Sequence, residues 1–297
     1  MDICIYHSRD LDGWSSAAII RRRWPSVKLI GWDYGMEMPE IPDGKLVVMV
    51  DISFSDTELE EPFQPMIDLA NRSEKLVWID HHKSALDYYE AAKDKFPETC
   101  LQIGNSSKAA CEHTWEAVFG SKQKMPLVIK WLGLYDTFRK DEAGEDWEKA
   151  VLPFQYGMQT YVTSPETFPY ELMDEKSSPG QLAQYIGAGQ VILKNMDNFH
   201  KAIANSAQVF KLEGYTCVAL NTLKKGSISF DHTFNPEEHD FMMAYSRSKD
   251  HWNISFYCDS DKVDCSAIAK KFGGGGHAGA AGCTMDDETL IGIINGK

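Results

Sequence analysis

The segment His7-Ser8-Arg9-Asp10-Leu11-Asp12-Gly13 places one imidazole and two carboxylates in a single short stretch. Carboxylates held this close repel one another unless a cation lies between them. Oxygen donors joined by an imidazole suit Mn²⁺ or a related divalent ion, whereas a zinc site would favour thiolates. The same residues also fit a solvated aspartate turn that caps the following helix. Asp51 closes the apolar run Val47-Val48-Met49-Val50, and Asp80-His81-His82 closes Leu76-Val77-Trp78-Ile79. A carboxylate behind a buried strand can be a helix cap. Two adjacent histidines are harder to place by packing alone, because each ring needs partners for both nitrogens. Asp136 ends Leu132-Gly133-Leu134-Tyr135 and, by itself, reads as a polar residue at the end of a helix.

A second concentration of chemistry is Gly273-Gly274-Gly275-Gly276-His277-Ala278-Gly279-Ala280-Ala281-Gly282. Bare glycines let an anion approach the backbone and receive several N–H groups, and His277 adds a donor. The alternative is a flexible linker. Against it stand the amphipathic stretch 265–272 directly upstream and the single histidine enclosed by alanine and glycine. Trp14, Trp32 and Tyr34 lie beside the acidic loops and either stack on a base, worth about 1–3 kcal/mol per base, or belong to the core. His113, His200, His232, His239 and His251 match no motif and read as bystanders.

These groups need elements to hold them. Over the first 135 residues or so, short apolar runs alternate with amphipathic segments, predicting strands over 3–6, 45–50 and 75–79. Helices are expected over 13–23, 84–96 and 107–119, the last capped by Ser106 or Ser107. The ligand-type residues then fall at strand ends, where open α/β sheets bind ligands. Residues 141–178 lack clean periodicity and read as irregular or partly helical closing structure. Ser178-Pro179 opens a helical repeat through Leu182, Ile186, Leu193, Met196, Ile203 and Ala207, predicting a connecting helix over 179–208. Strands over 215–221, 241–246 and 253–258 and a short helix near 265–272 follow. The expected fold is a doubly wound, mainly parallel α/β domain (1–178), the connecting helix (179–208) and a smaller α+β mixed-sheet domain (209–297).

The chain has 297 residues, 43% hydrophobic and 25% charged, enough for two ordinary cores. Its net charge of −14 excludes a broad electrostatic footprint for long duplex nucleic acid and leaves short or locally gripped nucleic acid. No apolar stretch approaches the roughly 18 residues of a membrane span, and Met1-Asp2-Ile3-Cys4-Ile5-Tyr6 does not open like a signal peptide. Seven scattered cysteines without a C-x-x-C pair point to reduced thiols and a cytoplasmic location. A monomer or homodimer is expected.

In order, His7/Asp10/Asp12, Asp51, Asp80-His81-His82 and Asp136 resemble the motifs of the DHH phosphoesterase superfamily, and the glycine–histidine phrase resembles the DHHA1 signature. The resemblance implies two divalent ions, usually Mn²⁺ with Mg²⁺ or Co²⁺ as substitutes. His7, Asp10 and Asp51 would hold the first, and Asp12, Asp51, His81 and Asp136 the second. His82 would face the scissile phosphate, with Asp80 orienting an imidazole from behind. Gly274, Gly275, Gly276 and His277 would hold the far end of a substrate in a cleft between the domains. Many DHHA1 members carry an arginine on the strand before the signature helix; Phe256-Tyr257-Cys258 stands there, and Arg247 on the preceding strand is either its replacement or a surface residue. Related members include nanoRNases, RecJ-like nucleases and cyclic dinucleotide phosphodiesterases. The implied activity is hydrolysis of phosphodiester or terminal phosphate bonds in short oligonucleotides, linear or cyclic dinucleotides or 3′-phosphoadenosine nucleotides. The alternative is exopolyphosphatase action on inorganic polyphosphate. A non-catalytic nucleotide sensor is disfavoured because every ligand position keeps ligating chemistry. Pyrophosphate is disfavoured because it goes with a DHHA2 partner.

Overall fold

A computed structural model describes the chain apart from residues 55–60, 121–122, 175–178, 224–225, 261 and 296–297. It forms two compact units, Met1–Ile192 and Leu193–Lys297. In the first, β1 (Ile3–His7), α1 (Leu11–Arg23), β2 (Lys28–Trp32), β3 (Leu46–Val50), α2 (Gln64–Arg72), β4 (Lys75–Ile79), α3 (Lys83–Ala91) and β5 (Cys100–Ile103) precede α4 (Ala110–Phe119) and α5 (Leu127–Asp136). The sheet is parallel throughout, in the order β2-β1-β3-β4-β5.

Helices cover both faces, which is why the central strands are apolar at successive positions instead of alternating. Ile5, Met49 and Trp78 face Met66, Leu69 and Tyr89 of α2 and α3. Cys4, Tyr6, Val48 and Val50 face Ala17 and Ile20 of α1. The expected doubly wound, parallel architecture is present. The edge strands β2 and β5 escape the sequence reading because each is partly exposed and lacks a continuous apolar run. Strand order reverses between β1 and β3, the position beyond whose strand ends open α/β sheets hold ligands.

Helix α4 differs from its expected form. It starts at Ala110, and Ser107 instead hydrogen-bonds Asn105 in the preceding turn. Its cap comes from far away in sequence: Asp12 accepts from Ala110 N–H at 2.9 Å and Cys111 N–H at 2.7 Å. The region read as irregular is largely helical. α6 (Lys140–Ala143), a π turn at Trp147–Val151, α7 (Leu152–Tyr161) and two short 3₁₀ turns follow one another. Trp147, Val151, Phe154 and Met158 join Trp115, Trp131 and Leu132 in the largest core cluster, so packing supplies the order that the mixed composition hides.

The long helix α8 spans Pro179–Ile203, ending earlier than expected in a 3₁₀ turn at Ala204–Ser206. Ser178, expected to open it, lies outside the described residues. The second unit continues with β6 (Gln208–Leu212), β7 (Tyr215–Asn221), β8 (Phe241–Arg247), β9 (Trp252–Tyr257), α9 (Cys265–Lys271), β10 (Gly275–Gly276), β11 (Ala280–Met285) and α10 (Asp287–Ile294). Its sheet runs β10-β11-β9-β8-β7-β6, antiparallel except for the parallel β7–β8 pair, and is thus the expected mixed sheet. β6 lies partly in the stretch read as helix. Glu213 and Gly214, both at positive φ (55° and 86°), turn it tightly into β7.

Candidate metal centre

Three strand ends and two helices bring the acidic and imidazole groups of the first unit together. His7 is the last residue of β1, Asp51 follows β3, and Asp80-His81-His82 follows β4. Asp10 caps α1, accepting from Gly13 N–H at 3.1 Å, and Asp12 lies in its first turn. A Cβ on Gly13 would come within 2.0 Å of the His7 carbonyl oxygen, so glycine is what lets α1 begin directly over the end of β1. Asp51 sits at φ 60°, in the left-handed region that Asp and Asn tolerate best among residues with a side chain. Its N–H donates to Ile79 carbonyl oxygen at 2.9 Å, tying the turn to β4.

Three overlapping sets of ligand atoms each lie within 4.8 Å of one another: His7/Asp10/Asp51, Asp12/His81/Asp136 and Asp51/His81/His82. His7 Nδ1 is 3.1 Å from Asp10 Oδ2 and 3.3 Å from Asp51 Oδ2. His81 Nε2 is 3.3 Å from Asp136, 3.4 Å from Asp51 and 3.6 Å from Asp12. Asp51 thereby joins the sets. Asp80, the first residue of the triplet, stands behind the two histidines, fully buried. Its Oδ1 accepts from His81 N–H at 2.7 Å, from His82 N–H at 3.2 Å and from His82 Nδ1 at 2.7 Å.

The charges in this cluster are unbalanced without a cation. Burial, then the charges of Asp12 and Asp10, push the Asp51 carboxyl well above the usual carboxylate range. Partial withdrawal from water and then the charge of Asp12 raise the Asp136 carboxyl too, although 28% of its side-chain surface stays exposed. Burial works against a protonated His7, yet hydrogen bonds to Asp10 and Asp51 and their charges outweigh it and carry its pKa up to about 11. His81 also rises against the effect of burial, chiefly through Asp136 and Asp12. Asp51 Oδ1 is buried without a hydrogen bond. A buried carboxylate oxygen without a hydrogen bond, set among further carboxylates and imidazoles, belongs to a donor set that divalent cations fit.

One residue of this neighbourhood escaped the sequence reading. Asp33, 8% exposed, follows β2 and places Oδ1 3.4 Å from His7 Nε2, while Arg9 pairs with its other oxygen. It repeats the pattern of Asp51, an acid directly behind a strand, and was hidden because β2 itself was not recognised. Asp33 thus faces the ring nitrogen of His7 opposite to the one facing Asp10 and Asp51.

In the second unit, the glycine run has two explanations. A Cβ on Gly274 would meet Gly282 carbonyl oxygen at 2.1 Å, and one on Gly276 would meet Ala281 Cα at 2.6 Å, so the β10–β11 pairing requires both. Gly275 has open space, and the exposed His277 closes the hairpin by donating its N–H to Ala280 carbonyl oxygen at 2.7 Å. Arg247 pairs with Asp287 and lies over the Trp252 ring at 5.4 Å. Among the aromatics, Trp32 is buried, Trp14 packs against the core, and Tyr34 is exposed. Of the remaining histidines, His113 contacts the Asn105 backbone, His239 accepts from Asn235 N–H, and His232 and His251 pair with Asp197 and Asp250.

No protein-family model matches the chain. An uncharacterized protein of Acanthamoeba polyphaga mimivirus is 24% identical, the match covering 95% of this chain and 67% of the relative. Among solved structures, a pGpG-specific phosphodiesterase from Vibrio cholerae is similar over 100% of this chain and 99% of its own, with TM-score 0.52 and 13% identity. An exopolyphosphatase-related protein from Bacteroides fragilis is similar over 99% of this chain and 90% of its own, with TM-score 0.50 and 13% identity. In fold, therefore, the chain is similar to these proteins, with a parallel α/β unit followed by a smaller mixed-sheet unit.

Proposed function

We propose that this chain is a Mn²⁺-dependent, two-metal phosphoesterase that hydrolyses phosphodiester or terminal phosphate bonds in short oligonucleotides or small nucleotides. The observation that carries the proposal is the set of overlapping ligand groups joined through Asp51 at the reversal of strand order. His7, Asp10 and Asp51 hold one ion, and Asp12, Asp51, His81 and Asp136 the other; Mg²⁺ or Co²⁺ are the substitutes. Such ions, when bound, neutralise phosphoryl oxygens and lower the pKa of water.

The chain's own residues do the rest. Asp80 grips His82 through Nδ1 at 2.7 Å. Burial opposes the imidazolium, but Asp80 outweighs it and raises the pKa of His82. A protonated ring held through Nδ1 donates from Nε2 to a phosphate oxygen or to the departing oxygen. Asp12, fixed by two N–H groups of α4, presents its carboxylate without a side-chain search. In the second unit, Gly274, Gly275, Gly276 and His277 take a substrate-holding role, with Arg247 as a further phosphate contact. The net charge of −14 suits short substrates, and likeness in fold to a pGpG-specific phosphodiesterase points the same way. All seven cysteines are unpaired, as suits a reducing cytoplasm. No helix among the described residues is long and apolar enough to cross a membrane.

Likeness to an exopolyphosphatase-related protein supports a second reading, hydrolysis of polyphosphate ends. A panel of di- to pentaribonucleotides, linear and cyclic dinucleotides, a 3′-phosphoadenosine nucleotide and polyphosphate, assayed in Mn²⁺ with product analysis, separates them. Mononucleotide or nucleoside release is expected. Phosphate release from polyphosphate with inert nucleotides would replace the first reading by the second.

A further inference from the structure

Tyr34 stands apart from the other aromatics near the metal centre. Trp32 is 2% exposed, whereas Tyr34 shows 48% of its surface to solvent. It is nevertheless held in place on two sides. Its ring meets Trp32 edge-on at 5.4 Å, and Trp32 in turn meets Phe54 edge-on at 4.9 Å. Its hydroxyl lies 3.3 Å from Ser53 Oγ. Ser53 is two residues beyond Asp51, at most about 7 Å of chain. On the other side, its neighbour Asp33 places Oδ1 3.4 Å from His7 Nε2. An ordered, half-exposed aromatic ring therefore sits beside the acidic cluster.

Exposed aromatic surface beside a charge cluster costs hydration free energy that inorganic phosphate chains do not return, since they present only charge. A nucleobase does return it, by covering the ring with its own π-face. We propose that Tyr34 is the base-stacking platform of a nucleobase subsite beside the metal centre. The base next to the scissile phosphate lies on its exposed face, while Ser53 and Trp32 fix the ring from behind. This rests on the phosphoesterase reading and deepens it, naming base-bearing phosphates over inorganic polyphosphate.

The test measures binding and turnover separately on the full chain in Mn²⁺. The probes for binding are a phosphorothioate-linked diribonucleotide and its abasic counterpart. The wild type is expected to prefer the base-bearing compound by about 5- to 100-fold, the range that one stacked base supports. Tyr34→Ala and Tyr34→Leu should bring that preference close to unity, the second keeping apolar bulk without a π-face. Tyr34→Phe, which loses only the Ser53 contact, should keep most of it. A wild type without the preference, or a Tyr34→Leu variant that retains it, overturns the proposal. Absence of turnover of the corresponding phosphodiester by the wild type would instead sink the phosphoesterase reading, with the binding ratio still deciding the role of Tyr34.

Discussion

At the scale of single residues, the centre shows which side chains announce themselves and which do not. His7, Asp10, Asp12, Asp51, His81 and Asp136 stand out through the order of their motifs, which resembles that of DHH phosphoesterases, since each motif alone also fits a cap or a polar helix end; their ligand atoms fall in sets within 4.8 Å of one another. Asp33 was not, because only the fold shows that it faces Nε2 of His7. With a cation in place of the Nδ1 proton, a carboxylate there would fix the ring so that Nε2–H donates to it and Nδ1 is left to ligate beside Asp10 and Asp51. Asp33→Asn is therefore expected to weaken Mn²⁺ affinity at the His7 side by about 10- to 100-fold, read by calorimetric titration, with a small change in melting temperature. Unchanged affinity for both ions would remove Asp33 from the centre. Exposure of Tyr34 and burial of Trp32 were equally beyond the sequence, since all three candidate aromatics look alike as letters.

Elements were readable where they are self-contained. β3 and β4 carry continuous apolar runs, and α5 is an apolar helix that delivers Asp136 at its last residue. α4 was misplaced at its start because its cap is a tertiary contact: Asp12 supplies the acceptor that Ser106 and Ser107 were expected to provide. Asp12→Ala and Asp12→Asn both delete the charge, while only Asn keeps an acceptor. The metal-free Ala variant should therefore be less stable than the Asn variant by about 0.5–2 kcal/mol, and Ser107→Ala should stay within about 0.5 kcal/mol of wild type. Chemical denaturation measures both. Equal stability of the two Asp12 variants, with a loss at Ser107, would return the cap to the serines. β11 was missed for a different reason, because Ala280-Ala281-Gly282-Cys283-Thr284-Met285 is too small and mixed to show alternation.

For the whole molecule, the unbalanced cluster sets the response to pH. Without ions, the raised carboxyls of Asp51 and Asp136 and the raised imidazoles of His7 and His81 give the native state more bound protons than the unfolded chain. Stability then falls as pH rises, from about 4 where unfolded carboxyls ionise toward the pKa of about 11 reached by His7. The depressed carboxyls of Asp10 and Asp80 act oppositely, and their support is lost only as pH drops through their lowered values. The metal-free melting temperature should therefore decline from pH 6 to pH 9. Saturating Mn²⁺ should raise it more at pH 8 than at pH 6, because ions take the place of protons. A metal-free melting temperature that climbs over this range would contradict the electrostatics described. The central claim, that this cluster is a metal-dependent hydrolytic centre, is tested most directly by adding Mn²⁺ back to metal-stripped wild type and to Asp51→Asn while following cleavage of a diribonucleotide. Asn tolerates the left-handed backbone at this position, so the variant removes a charge and spares the turn. Cleavage should be absent without metal, appear as two ions bind, and stay absent in Asp51→Asn. Cleavage that persists in the stripped protein, or at full rate in Asp51→Asn, would contradict it.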